Sequence, residues 1–261
     1  MECDQSKLID QGVPLSTGIV IWVFFGIALY NNIEIFILIF TMFQRRNTLY
    51  FWSMLISNIG ISIHEIYATL QLFNLAPDLP KALIASLAWL IMTTGQSIVL
   101  YSRLHLVMDN RRKLRWVLLM IAISFITLQL PTTTVFIGMQ TTPANKRSAF
   151  SNAFNVLKVI QLVVFTIQEA LLSGLYVYAF RKTSQPMRMS KERKVRNLLR
   201  QMIGLFIVVV SLDFGLIVAE LMELFQVQTT LKPVIYSIKL KVELLVLDNL
   251  ANLVQSSSCY S

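Results

Sequence analysis

Residues 198–225 read LLRQMIGLFIVVVSLDFGLIVAELMELF, and this stretch decides the fold. Its apolar run is long enough to cross a bilayer as a helix, which takes about 20 mostly apolar residues. Yet it carries Asp213, Glu220 and Glu223. An acid near a bilayer centre costs roughly 2.5–3.5 kcal/mol on insertion scales, so such residues are expected to face a protein interior rather than lipid. The same combination recurs along the chain. Glu34, Glu65, Glu169, Asp213, Glu220, Glu223, Glu243 and Asp248 all sit inside long apolar segments. As anions facing lipid they would together cost on the order of 20 kcal/mol, more than the net stability of a typical fold.

Composition agrees with a membrane protein. The 261 residues are 55% hydrophobic and 14% charged, against about 25% charged in soluble domains. Seven segments qualify as spans: 19–43, 49–73, 82–107, 115–139, 155–180, 198–225 and 231–254. The expected fold is all-α, a polytopic seven-helix transmembrane bundle at 19–254. A short lumenal or extracellular N-terminus (1–18) precedes it, and a short cytosolic tail (255–261) follows. The polar first seventeen residues do not read as a signal peptide, so the first span is expected to act as an uncleaved anchor. The seventh segment is interrupted by Lys239, Lys241, Glu243 and Asp248; its other reading is an amphipathic helix lying on the membrane.

Basic residues orient the bundle. Arg45 and Arg46 lie in the first connection, and Arg111, Arg112, Lys113 and Arg115 in the third. The fifth holds Arg181, Lys182, Arg188, Lys191, Arg193, Lys194, Arg196 and Arg200. Fourteen of the twenty-three Lys and Arg are thus in odd connections, which predicts a lumenal N-terminus and a cytosolic C-terminus. The net charge of +9 is read as topology signals and contacts to anionic membrane lipids rather than a nucleic-acid surface. Cys3 and Cys259 fall on opposite sides in this topology, so no intramolecular disulfide and no cysteine metal site is expected.

Polar residues align at mid-depth. Asn31, Asn32 and Glu34 mark the first span; Asn58, Ser62, Glu65 and Thr69 share one face of the second. Thr93, Gln96, Ser97 and Tyr101 mark the third, Gln129 the fourth, and Gln161, Gln168 and Glu169 the fifth. Asp213 and Glu220 share a face of the sixth, and Lys239 and Glu243, four apart, share a face of the seventh. The acids near mid-depth are expected to converge on one interior zone. Asn58, Gln129, Gln161 and Ser97 read as helix-to-helix hydrogen-bonding groups, and Lys239–Glu243 as a structural ion pair. Arg103 and His105 are expected to snorkel at the cytosolic end of the third span. With few bases at their depth, Glu34, Glu65, Glu169 and Asp213 are expected to be kept neutral by burial in part, able to donate a proton. His64, beside Glu65, is a possible relay.

Nucleotide-binding, serine-hydrolase and zinc motifs are missing, as is an aspartate-rich run to hold magnesium against a diphosphate. Seven spans with the N-terminus outside fit a G-protein-coupled receptor in number, yet the third span ends Tyr101-Ser102-Arg103 and the seventh lacks N-P-x-x-Y. A retinal protein could use Lys239 or Lys241, but its third span would want an acidic counter-ion that this one lacks.

Five strings resemble a family of fungal seven-span integral membrane proteins: GIALYNNIE (26–34), RRNTLYFWS (45–53), GQSIVLYSRLHLV (95–107), QEALLSGLYV (168–177) and TTLKPVIYSIKLKVE (229–243). The resemblance covers nearly the whole chain. It implies that the seventh segment belongs to the bundle, with Lys239, Lys241 and Glu243 in its pattern. It also implies that Glu34, Glu169, Asp213 and Glu220 occupy family acidic positions, from which Glu65 and Asp248 depart. In size and span number the chain is also similar to the membrane-bound terpene cyclases of fungal meroterpenoid pathways, of the ascofuranone and ascochlorin type, although no diagnostic motif matches residue by residue.

That second resemblance, together with the acids, sets the functional expectation. A buried carboxylic acid protonates the alkene or terminal epoxide of a farnesylated aromatic substrate, with water excluded and aromatic faces near the cation. Glu34, Glu65, Glu169 and Asp213 are the expected proton donors. Asn31, Trp89, Gln96, Tyr101, Tyr176, Glu220, Lys239 and Glu243 are the expected substrate-binding residues, with Glu220 and Glu243 also candidate bases. No metal or organic cofactor is required. The expected partners are a lipophilic prenylated substrate and membrane lipids, with a prenyltransferase and an epoxidase upstream, in the endoplasmic reticulum membrane. The alternative is a seven-span receptor or sensor, and then a transporter.

Overall fold

The protein is described by a computed structural model covering residues 15–43, 48–72, 78–108, 110–141, 147–183, 188–222 and 225–258. Glu223, Cys3, Cys259, the loop cations Arg45, Arg46 and Lys146, and the side chain of Asp248 lie outside the described residues.

Every described element is helical: α1 (Leu15–Met42), α2 (Leu49–Leu72), α3 (Asp78–Val107), α4 (Arg111–Ser124), a π-helical turn (Phe125–Gln129), α5 (Leu130–Thr141), α6 (Arg147–Thr183), α7 (Arg188–Leu221) and α8 (Phe225–Ser258). Because α4, the π turn and α5 follow one another without a break, the described residues form seven rods. Five stretches are long and apolar enough to cross a membrane: Gly18–Met42, Leu83–Val107, Arg111–Gly138, Ala153–Lys182 and Leu199–Leu221. The rods α2 and α8 fall outside that set because their interiors are too polar, with Asn58, His64 and Glu65 in one and Lys239, Lys241 and Glu243 in the other.

Burial runs opposite to that of a soluble bundle. On α7, Asp213 is 3% exposed while its neighbour Phe214 is 65% exposed. On α1, Trp22, Ile33, Phe36 and Ile37 face outward while Asn31 and Asn32 face in. Apolar side chains outside and polar ones inside is the arrangement that a hydrocarbon solvent selects.

The helices α2 and α3 make the closest seam. A Cβ added at Gly95 would lie 2.8 Å from Ser57 Oγ and 3.2 Å from its Cα. Farther along, Ser53 Oγ and Ser102 Oγ lie 3.3 Å apart. Small residues here let two backbones approach, as they do where no hydrophobic force between helices is available. The rod α8 packs against α1, α2, α3 and α7, so it is a member of the bundle and not a helix lying on its surface.

The π turn has a chemical cause. Pro131 lacks the N–H that would bond to the Thr127 carbonyl, and the Leu130 N–H reaches back five residues to the Phe125 carbonyl. The turn leaves Gln129 fully buried. Gln129 Nε2 donates to Thr93 Oγ1 of α3, and its Oε1 accepts from Gln161 Nε2 of α6 at 2.9 Å. Gln168 Nε2 adds a bond to Ser97 Oγ at 3.1 Å. The helix-to-helix role expected of Ser97, Gln129 and Gln161 is what these contacts perform.

Candidate functional site

The charged groups inside the bundle are organised by one helix. Along α8, Lys232, Lys239, Lys241 and Glu243 reach four different neighbours. Lys239, whose side chain is fully buried, donates from Nζ to Glu169 Oε2 on α6 at 2.6 Å and to Asp213 Oδ1 on α7. The ring of Tyr236 lies beneath the same ammonium, 5.1 Å from Nζ to the centroid. Lys241 Nζ meets Glu34 Oε2 of α1 at 2.6 Å, with both side chains about a third exposed. Glu243 Oε2 pairs with the buried guanidinium of Arg103 on α3, which also stacks 4.0 Å above the Tyr176 ring of α6. Lys232 Nζ lies 3.1 Å from Glu220 Oε2 on α7, and Lys158 of α6 pairs with the other oxygen, Oε1.

Three expectations are corrected by this arrangement. Lys239 and Glu243 do not pair with each other; each turns to a partner on another helix. Arg103 does not snorkel, because Glu243 and the Tyr176 face hold it 6% exposed inside the bundle. Bases are not scarce at the depth of the acids. Glu34 has its own lysine, while Glu169 and Asp213 share one ammonium, leaving one carboxylate's worth of charge uncompensated there. Only Glu65, among the expected donors, meets no cation in the described residues. It is 3% exposed and accepts from Asn32 Nδ2 at 2.9 Å.

The acids also do not converge on one zone. They form separate stations: Glu34–Lys241 at a half-exposed edge, Glu65 between α1 and α2, Glu169–Asp213–Lys239 at the centre, Arg103–Glu243 towards one end and Glu220–Lys158–Lys232 towards the other.

A cavity of about 90 Å³ lies beside this last station, and its walls include His64, Trp89, Phe136, Phe154, Lys158 and Lys232. A void of about 20 Å³ is lined by Arg103, Tyr176 and Glu243 among others. Another of about 20 Å³ lies between Trp89, Gln161, Lys232 and Tyr236. The expected substrate-binding residues are therefore dispersed. Trp89 lines the lysine-lined cavity, Tyr176 and Glu243 the void near Arg103, and Glu220 contacts both cavity lysines. Asn31 Nδ2 donates to Ser237 Oγ at 3.4 Å. Gln96 is buried with Oε1 unpartnered, and half-buried Tyr101 stands beside His105 at 6.5 Å between ring centroids.

Lys158, Lys232 and Lys241 were not among the residues expected at a site, although the sequence holds a signal for one of them. Asp213 and Glu220 are seven apart, and so are Lys239 and Lys232. On successive antiparallel helices these equal spacings put both pairs in register. Arg103 carries no comparable signal, since its partner Glu243 lies on a helix distant in the chain.

The sequence profile described as "Domain of unknown function (DUF7703)" matches residues 12–261, and the chain belongs to that family. No curated protein and no solved structure matches it.

Proposed function

We propose that this member of the DUF7703 family is a seven-span membrane receptor or sensor for a small lipophilic ligand with an anionic or hydrogen-bond-accepting head. The reading takes α2 and α8 as spans alongside the five more apolar segments, in keeping with the resemblance to fungal seven-span proteins. It places the N-terminus in the lumen, the C-terminus in the cytosol and the protein in the endoplasmic reticulum. The ligand head lies against Lys158 and Lys232, with its first carbons among Trp89, Phe136 and Phe154.

One observation carries the reading. A single helix, α8, supplies Lys232 to the cavity, Lys239 to the central carboxylates and Glu243 to Arg103 at the far end. A head group that draws Lys232 from Glu220 alters the charge balance on that helix, and the stations below share the same helix. The cavity station brings the ammonium groups of Lys158 and Lys232 together beside apolar walls, a setting that suits an anionic or accepting head.

The test uses the full chain in lipid nanodiscs, with Trp22, Trp52 and Trp116 replaced by Phe so that Trp89 alone reports. Decanoate, decanol and decylamine are titrated, and hydrogen exchange is followed over 101–107 and 239–246. Decanoate is expected to shift Trp89 emission and change exchange around Arg103 and Glu243, and Lys232→Met to abolish both effects. A Trp89 response with no distal change reduces the protein to a plain binder, and no response to any probe removes the reading.

The protonation-initiated cyclase stands as a second reading, favoured by the charge left uncompensated at Glu65 and at Glu169–Asp213. Against it, the lysine-lined cavity, about 90 Å³, is smaller than the ~150 Å³ void that takes up benzene, so a farnesylated phenol enters it only if helices part. Microsomes fed a farnesylated phenol and its terminal epoxide decide the matter. A product of unchanged mass and altered retention, lost in Glu65→Gln or Asp213→Asn, supports the cyclase.

A further inference from the structure

Between α1 and α2 lies a group of oxygens with no donor to meet. Asn32 and Asn58 are 3% and 2% exposed, Glu65 is 3% exposed, and Asn32 Oδ1, Asn58 Oδ1 and Glu65 Oε1 have no hydrogen-bond partner. The three residues are tied together. Asn32 Nδ2 donates to Glu65 Oε2 at 2.9 Å, and Asn58 Nδ2 donates to the Asn32 carbonyl at 3.1 Å. Those two bonds settle which way each amide points. Flipping Asn58 would set oxygen against the Asn32 carbonyl whatever the protonation state, and flipping Asn32 would do the same against an ionised Glu65.

Nearby hydroxyls do not fill the gap. Ser62 Oγ donates to the Asn58 carbonyl at 3.0 Å and Thr69 Oγ1 to the Glu65 carbonyl at 3.0 Å. The cations of α8 are committed to Glu34, Glu169, Asp213 and Glu220, and Arg103 of α3 is committed to Glu243. A proton on Glu65 supplies one donor for several empty acceptors. Hard cations take oxygen ligands, and a carboxylate with two neutral amide oxygens on adjoining residues supplies that kind of ligand. Since the site offers one carboxylate and neutral amide oxygens, a monovalent ion balances its charge and a divalent one does not.

We propose that Asn32, Asn58 and Glu65 form a sodium site between α1 and α2, with Glu65 ionised. The site is independent of the sensor reading and incompatible with Glu65 as a neutral initiating acid.

Purified full chain in detergent is melted in NaCl, KCl and choline chloride at equal ionic strength, and binding of radioactive ²²Na⁺ is measured directly. Sodium is expected to raise the melting temperature saturably by several degrees, potassium less, and choline not at all. Glu65→Gln should abolish the sodium dependence, and Asn58→Ala should raise the half-saturating concentration at least tenfold. Equal melting of the wild type in NaCl and choline chloride, without ²²Na⁺ retention, overturns the proposal and leaves a protonated acid or bound water. A sodium shift that survives in Glu65→Gln also overturns it. Should Glu65→Gln fail to fold, displacement of ²²Na⁺ from the wild type by unlabelled NaCl but not by KCl sustains the site, and equal displacement by both salts overturns it.

Discussion

Lys239 shows what a charge inside the bundle costs when it loses its partners. Its ammonium holds Glu169 and Asp213 in a space closed to water, and removing one member of a buried pair typically costs 3–5 kcal/mol because the other charge is stranded. Lys239→Met is therefore expected to destabilise strongly, and adding Asp213→Asn should restore part of the loss. The companion cycle with Glu243→Gln should show weaker coupling, because Glu243 answers to Arg103. Melting of the single and double variants in detergent measures both couplings. Stronger coupling of Lys239 to Glu243 than to Asp213 would show the expected intrahelical pair to be real after all. That pair was a sound inference from spacing alone, since residues four apart on a helix do adjoin. The sequence does not contain the competing offer from α6 and α7, which depends on how the helices turn about their axes. Burial of Asp213, Glu169 and Glu65 was legible because lipid excludes their charge; the identity of their partners was not.

Helices were easier to read than contacts, and the reason lies in their length and solvent. The expected span at 198–225 lies over α7 up to Leu221, and that at 82–107 ends with α3 at Val107, since a 20-residue apolar run leaves the backbone no option but a helix. The π turn was not read, although Pro131 marks its place. A π turn behaves as one inserted residue, so deleting exposed Ile126 should return the rod to regular α-helix with both halves in phase. Deleting Ile121, one turn earlier in regular helix, should rotate Leu114 and Val117 off their buried face. Yield and melting temperature should fall far less for the first deletion; equal losses would mean the turn is not an insertion. The α2–α3 seam gives a second comparison. Gly95→Ala sets a methyl against the Ser57 backbone and should cost about 1–3 kcal/mol, as overpacking does. Gly174→Ala, with nothing within 4 Å of the added carbon, should be neutral or slightly stabilising. Equal melting of the two variants would refute the close approach.

Across the whole molecule the proposed orientation follows from where the basic residues fall. Epitope tags placed before Leu15 and after Ser261 should behave oppositely in sealed microsomes, the first protected from protease and the second cleaved. A cleaved N-terminal tag would invert the bundle and move the lysine-lined cavity to the cytosolic side. The chain's charge pattern yields an expected sidedness because it acts on each connection separately. It gives no account of the stations inside the bundle, whose partners depend on how the helices turn towards one another.

The dependence of α8 on other helices for its counter-charges has a consequence for biosynthesis. A segment carrying Lys239, Lys241 and Glu243 partitions poorly from the translocon into lipid by itself, and it leaves the ribosome after every helix that neutralises it. If α8 spans as proposed, its entry is coupled to assembly: Glu34, Arg103, Glu169, Asp213 and Glu220 must already be waiting in the membrane. A nascent chain stopped before Phe225 leaves those groups without their α8 partners in a low-dielectric setting, the kind of exposed polarity that membrane quality control recognises. Ribosome-release and pulse-chase labelling of such a truncation should reveal rapid degradation, and supplying residues 225–261 as a separate fragment should slow it.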